Sequence, residues 1–333
     1  MTEWNGGAGP RIVAIGGGTG LSTMLRGLKS RTRSLTAIVT VADDGGGSGM
    51  LRQDLGMPPP GDIRHCMEAL ANAEPLMAQL MHYRFPEGTL AGQSFGNLFL
   101  AALNGIMPSF DRAVESMSQV LAITGRVLPV TTADVQLEAT FENGASVVGE
   151  SHIFRCKKEQ DCRIRSVRLL PEHPKALDAA VEAIHSADMI VLAPGSLYTS
   201  IIPNLLVDGI ADAIRDSRAL KLYVCNVMTQ EGETEGYTVA DHIQALFHHS
   251  YPGLFRLCLT NSTPIPECIA LRYAQEGAEP IRHDVERCRA LGVELIDRPI
   301  AALENGLVRH NPGHLAHELM TIYETYTQKS PTR

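Results

Sequence analysis

A short apolar run at residues 11–15 (RIVAI) leads directly into five small residues, Gly16-Gly17-Gly18-Thr19-Gly20, and then into helical apolar spacing over residues 21–29 (LSTMLRGLK). The four apolar residues that follow Arg11 fit a strand buried on both faces, as in a parallel sheet. Glycine permits a tight strand-to-helix turn and close backbone approach, because no Cβ stands in the way. The N-terminus of the following helix then offers free N–H groups and a partial positive charge. A second apolar run, residues 35–42 (LTAIVTVA), ends on Asp43 and Asp44 and completes a βαβ unit.

Helical periodicity continues at about 62–82, 94–105 and 111–122. Between residues 126 and 170 the texture changes. There VLPVT, DVQLEATF, SVVGES and CRIRSVRLL read as strands, with Glu142-Asn143-Gly144 as a hairpin turn. Alternation resumes with a helix near 174–185, a strand at 189–193, a helix near 199–216 and a strand at 221–226. A helix at 239–249, a strand at 254–260 and a closing helix at 313–328 complete the chain. The expected fold is α/β: a doubly wound, Rossmann-like, mostly parallel sheet in one domain over residues 10–330, with an antiparallel β-rich insertion at about 126–170.

The 333 residues are 44% hydrophobic and 20% charged, the balance of a folded globular chain. A net charge of −8 with no clustered Lys and Arg disfavours a nucleic-acid partner. The strongest apolar run, residues 189–193, is too short to span a bilayer and is closed by Pro194 and Gly195, so no membrane insertion is expected. Residues 1–10 lack the apolar stretch of a signal peptide. Seven cysteines, with Cys156 and Cys162 at neither zinc nor redox spacing, are expected to be reduced thiols of a cytoplasmic protein. The twelve histidines show no metal spacing, and His248-His249 reads as a surface pair at a helix end.

The run containing Gly17, Gly18, Thr19 and Gly20 is suited to a phosphate. Its spacing is G-x-G-x-G, because position 21 is Leu, so the dinucleotide fingerprint is not met, and it has no P-loop lysine. A ligand-free turn stays open as the plainer reading. Asp43 and Asp44 stand where a Rossmann unit bonds a ribose; Asp44 is the candidate for holding Mg²⁺ against a diphosphate. The glycines at 45–49, Gly46 among them, suggest a second concavity of N–H groups. Arg52 and Arg64 could fork onto phosphate or pair with nearby carboxylates, and Asp62 is a good helix cap. Asn97, in a Ser-Phe-Gly-Asn helix start, and Gly195 and Ser196, in a third strand-Gly-helix turn, should face the same crevice as the first loop. Asn226 opens a polar run after another strand. These residues imply a small-molecule nucleotide-diphosphate ligand, UDP-sugar or NAD, with Mg²⁺ as an accompanying cation, and leave oligomeric state open, a homo-oligomer included.

At these residues the chain resembles the YvcK branch of the CofD-like, or gluconeogenesis factor, family. The resemblance rests on IGGGTG, VADDGGGSGMLRQDLGMPPPGDIR, SFGNLFLAAL, LAPGSLYTSIIPNLL, NVMTQEGET, YAQEGAEPI and LVRHNPGHLA, and spans about residues 11–323. It implies a cytoplasmic bacterial regulator needed for cell shape and for growth on gluconeogenic carbon sources. It also implies binding of UDP-sugars such as UDP-N-acetylglucosamine, with Tyr273 and Arg309 in contact with that ligand. Enzymatic relatives in the same family are Mg²⁺-dependent transferases that move a phospholactyl-type group from a guanosine-diphosphate-linked donor to a deazaflavin. The sequence departs from the family pattern at Gly47, His65 and Asn311. An Asp at position 311 would be expected to orient Arg309.

Overall fold

The computed structural model describes residues 9–160 and 162–328; residues 161, 329 and 330 of the expected spans lie outside the described residues. The first part of the chain forms β1 (Ile12–Gly16), α1 (Gly18–Leu28), β2 (Leu35–Val39), α2 (Gly46–Leu55), α3 (Gly61–Leu70), α4 (Pro75–His82), α5 (Phe95–Ile106), α6 (Phe110–Val120) and β3 (Arg126–Pro129). β4 (Gln136–Phe141), β5 (Ser146–Val148), α7 (Glu150–Gln160) and β6 (Ile164–Leu170) follow, then α8 (Asp178–Ser186) and β7 (Met189–Leu192). A π-helical turn (Leu197–Ile201) runs into α9 (Ile202–Leu205) and α10 (Ile210–Asp216). The remainder is β8 (Leu220–Val224), α11 (Val239–His248), β9 (Leu257–Asn261), α12 (Glu267–Gln275), α13 (Val285–Ala290), β10 (Glu294–Arg298), β11 (Ala301–Glu304), β12 (Leu307–His310) and α14 (Pro312–Gln328).

Seven strands make one sheet in the order β10-β9-β8-β7-β1-β2-β3, with every neighbouring pair parallel. Every residue of β1 and of β7 is buried, as the apolar runs require of central strands. Full burial of a side chain such as Ile15 contributes about 2 kcal/mol. From β1 the chain builds outward through β2 and β3, then crosses to the other side of β1 and builds outward from β7 to β10. The direction reverses between β1 and β7. Loops leaving those two strands therefore part and open a crevice at the carboxyl ends of the strands. α1 buries Leu21, Met24, Leu25 and Leu28, spaced as one helical face, and packs with α3 and α14.

Several elements differ from the sequence expectation. The run at 62–82 is two helices, because Pro75 cannot occupy a helix interior and instead opens α4. The run at 199–216 is broken by Pro203 and by Gly209, whose φ is +95°. The strand expected at 127–131 in the insertion is β3, which pairs with β2 as the edge of the main sheet. The antiparallel insertion holds β4 to β6 in the order β5-β4-β6, with Gly144 at φ +86° in the expected hairpin turn. α7 replaces what read as the end of a strand; Gly149, at φ +101°, ends β5 and turns the chain into it. α12, α13, β10 and the β11–β12 hairpin carried no clear sequence signal, since α12 buries none of its residues and β10 buries one.

Candidate functional site

The crevice between β1 and β7 holds a cavity of about 580 Å³. Its floor is the turn from β1 into α1. Gly18 has φ +60°, which L side chains rarely adopt, and a Cβ on Gly20 would run into the carbonyl of Pro194. Asn204, fully buried, donates from Nδ2 to the carbonyl of Gly16 at 3.1 Å and to that of Ser200 at 2.8 Å, fixing this turn against the helix after β7. Asn226, after β8, holds the opposite lip. Its Oδ1 accepts from the Gly195 N–H at 2.9 Å and its Nδ2 donates to the Gly195 carbonyl at 2.7 Å.

Ten of the residues singled out from sequence line this one cavity: Gly17, Gly18, Thr19, Gly20, Asp43, Gly195, Ser196, Asn226, Tyr273 and Arg309. Tyr273, on α12, accepts a hydrogen bond at its hydroxyl from the Val308 N–H at 2.9 Å, so α12 is tied to β12. The exposed Arg309 follows on β12 and has no ion pair with a described residue. More than 250 residues separate the Gly turn from Arg309 in sequence, and the fold brings both to one cavity.

Four of the singled-out residues lie off the cavity. Asp44 accepts at Oδ1 from the Ser151 N–H at 2.7 Å and caps the first turn of α7. Arg52 is buried and pairs with Asp134 at 2.5 Å. Asn97 accepts from Arg64 Nε at 2.8 Å, and Arg64 also pairs with Glu68 at 2.5 Å, so neither arginine forks into the crevice. Gly46 opens α2, and the run at 45–49 is therefore a helix start; the Gly45 N–H is already used by Asp43 Oδ1 at 2.8 Å.

Two further lining residues had escaped the sequence reading as site groups. Asp62 does not cap α3, whose cap is Pro60, but reaches α1, close enough that a Cβ on Gly17 would sit 2.5 Å from its Oδ2. Glu150 comes from α7 of the insertion and faces the same space. Asp62 is legible in PPPGDIR only as a helix-start residue, and Glu150 carries no local signal at all.

The cavity is acidic. Asp43, Asp62, Glu150, Glu231 and Glu276 line it against Arg309. Burial pushes the Asp43 carboxyl up, and burial together with Asp43 raises Asp62 to about 7. Burial, then the charges of Asp43 and Asp62, push Glu150 well up. His310, also lining the cavity, is lowered by burial to about 4 and is uncharged at neutral pH. Among the described residues, no group of three or more His, Cys, Asp and Glu is arranged to hold a metal ion alone.

The third strand-Gly-helix turn is closed by the protein itself. The Glu233 carboxylate accepts from the N–H groups of Leu197 at 3.0 Å, Tyr198 at 2.9 Å and Thr199 at 3.1 Å. Its burial raises its own pKa to about 7 despite those bonds. The helix start after Gly195 thus already carries an anion on three N–H groups, whereas at α1 the Asp62 carboxyl takes the Gly18 N–H and Thr19 and Gly20 line the open cavity. Asn311 is turned from Arg309 and accepts from the His314 N–H at 2.9 Å, capping α14, a role Asn fills as well as Asp. His249 is a packing residue, not a surface one: Nε2 accepts from the Val167 N–H at 3.0 Å and burial lowers its pKa to about 4. All seven cysteines are free. Among the described residues, no helix is long and apolar enough to cross a membrane.

Comparison with known proteins agrees with this architecture. The family model described as 2-phospho-L-lactate transferase CofD matches residues 12–301. A relative from Thermoanaerobacterium thermosulfurigenes is 52% identical over 316 residues, covering 95% of this chain and 98% of the relative. The gluconeogenesis factor of Bacillus subtilis is 47% identical over 314 residues, covering 94% of this chain and 98% of its own length. A crystal structure of a Bacillus halodurans protein superposes with a TM-score of 0.91 at 45% identity, covering 94% of this chain and 99% of the other. With the family model spanning most of the chain and relatives matched nearly end to end, this protein belongs to the CofD family and, within it, groups with the gluconeogenesis factors.

Proposed function

We propose that this protein is a regulator that binds a nucleotide sugar of the UDP-N-acetylglucosamine type and acts in gluconeogenic growth and cell shape. One observation carries the reading. The N-terminus of α1, where Asp62 takes the Gly18 N–H and Thr19 and Gly20 line the open space, gives onto a cavity of about 580 Å³ whose other wall is Tyr273 and Arg309. That arrangement suits a diphosphate against the Gly turn and a base or sugar against the tyrosine, with the guanidinium free to fork onto phosphate. The names carried by the relatives from Bacillus subtilis and Listeria monocytogenes, both gluconeogenesis factors, support the role in carbon metabolism.

Five carboxyl groups facing one guanidinium oppose the entry of a diphosphate. The anion therefore enters with a cation or with protons. Mg²⁺ commonly takes one or two carboxylates and completes its shell with phosphate oxygens and water. Asp43 and Asp62 fit that demand; Asp44, occupied at α7, does not. Bound there, Mg²⁺ would neutralise the ligand's phosphates and return both carboxyls to the ionised form.

The same carboxyls favour a second reading, a Mg²⁺-dependent transferase using a nucleotide-diphosphate-linked donor; the matching family model is described as a 2-phospho-L-lactate transferase. The two readings part in one experiment. Calorimetry with UDP-N-acetylglucosamine and NAD, with and without Mg²⁺, should show Mg²⁺-aided binding of the UDP-sugar. Chromatography of the nucleotide after many hours with the protein should show no product. Steady release of UDP or UMP would establish the transferase instead, and failure of the UDP-sugar to bind would remove the regulatory reading.

A further inference from the structure

A second cavity, of about 280 Å³, adjoins the first and shares Asp43, Glu150, Ser196 and Gln230 with it. Its far wall is apolar and comes from the insertion: Ile153 and Phe154 of α7. Phe154 remains 45% exposed, yet its ring lies against the backbone of Gly232, whose φ is +77°. α7 is held along this wall from two sides. The Ser151 N–H donates to Asp44 at 2.7 Å, and Lys157, buried, pairs with Glu235 at 3.1 Å. The aromatic face is thereby fixed beside the carboxyl groups.

We propose that this smaller cavity is the subsite for the sugar ring of the nucleotide sugar, and that Phe154 determines which sugar is accepted. The inference rests on the reading of the main cavity as a nucleotide-sugar site. A diphosphate lying on the α1 N-terminus directs the next group of such a ligand toward Asp43 and Glu150, the edge the two cavities share. A sugar ring has a rim of hydroxyls and a C–H face. The carboxyl groups of Asp43 and Glu150 accept from the hydroxyls, while Ile153 and Phe154 cover the C–H face, the mixture of apolar wall and few polar groups that ligand pockets use. With about half the volume of its neighbour, the space suits one ring and not a second nucleotide. It also explains why the antiparallel insertion sits where it does: α7 supplies both Glu150 and the apolar wall.

The test compares UDP with UDP-N-acetylglucosamine by calorimetry in Mg²⁺, using the wild type, Phe154→Ala and Phe154→Trp. The wild type should bind the sugar nucleotide more tightly than UDP. Both variants should weaken the sugar nucleotide by about fivefold to tenfold, one by removing the face and the other by filling the space, and leave UDP within about twofold. Unchanged affinity for the sugar nucleotide, or an equal loss for both ligands, would overturn the subsite while leaving the main-cavity reading standing. A wild type that binds neither compound would overturn both.

Discussion

Asn226 grips the peptide of Gly195 from both sides, accepting from its N–H at 2.9 Å and donating to its carbonyl at 2.7 Å. The loops after β7 and β8 are thereby locked as one lip of the cavity. Asn226→Ala should cost about 1–3 kcal/mol of stability, since two buried or half-buried backbone groups lose a partner. It should also weaken UDP-N-acetylglucosamine by more than tenfold, because Gly195 and Ser196 line the site. Urea unfolding and calorimetry check the two effects; a stable variant with wild-type affinity would contradict the role.

Gly18 sits at φ +60°, and a Cβ there would meet nothing closer than Asp62 Oδ1 at 3.6 Å. Space is available and the backbone conformation is not. Gly18→Val should therefore fold, with about 1–2 kcal/mol of lost stability from strain. Nucleotide-sugar binding should be abolished, as the α1 N–H groups shift and the side chain enters the cavity. Equal affinities of Gly18→Val and wild type would refute diphosphate binding at this turn.

The Asp62 carboxyl is lifted from 3.8 to about 7 by burial and by Asp43. Its stabilising contribution is therefore fully present below about pH 4 and is lost as pH rises through about 7. Ligand-free protein should melt at falling temperature from pH 5.5 to 8, and Asp62→Asn should flatten that slope. Binding should show opposite pH trends. In chelator, affinity for the diphosphate should fall with rising pH, by up to about tenfold per unit above pH 7. In Mg²⁺ it should rise, because metal and proton compete for the same oxygens. Identical pH profiles with and without Mg²⁺ would remove the metal from the site.

Tyr273 and Arg309 should respond differently to truncation. Arg309 is exposed with no ion pair to a described residue, so Arg309→Ala should leave the melting temperature within about a degree and weaken the ligand by about tenfold. Tyr273 supports the Val308 N–H, so Tyr273→Phe should cost about 1 kcal/mol, and Tyr273→Ala more. Thermal melts and calorimetry of the three variants separate support of β12 from contact with ligand.

The apolar runs at 11–15, 35–42 and 189–193 and the glycines that close them were enough to read a doubly wound parallel sheet and to place two of its turns at one crevice. Those signals are local: a strand buried on both faces is apolar throughout, and a tight turn needs glycine. The elements between 262 and 312 were not legible, because short, half-exposed segments carry little periodicity, yet Tyr273 and Arg309 stand on them. Nor could residue types alone separate Asp43 from Asp44. Adjacent in sequence, they point to different elements, one into the cavity and the other to the N-terminus of α7. The same holds for Arg52 and Arg64, whose residue type allows either a phosphate fork or a carboxylate partner; they are buried partners of Asp134 and Glu68. Charge, glycine and periodicity are properties of the chain and determine which turns can exist. Which carboxylates share a wall, and which helix start is already filled by Glu233, depend on contacts between residues far apart in sequence, and those the tertiary structure decided.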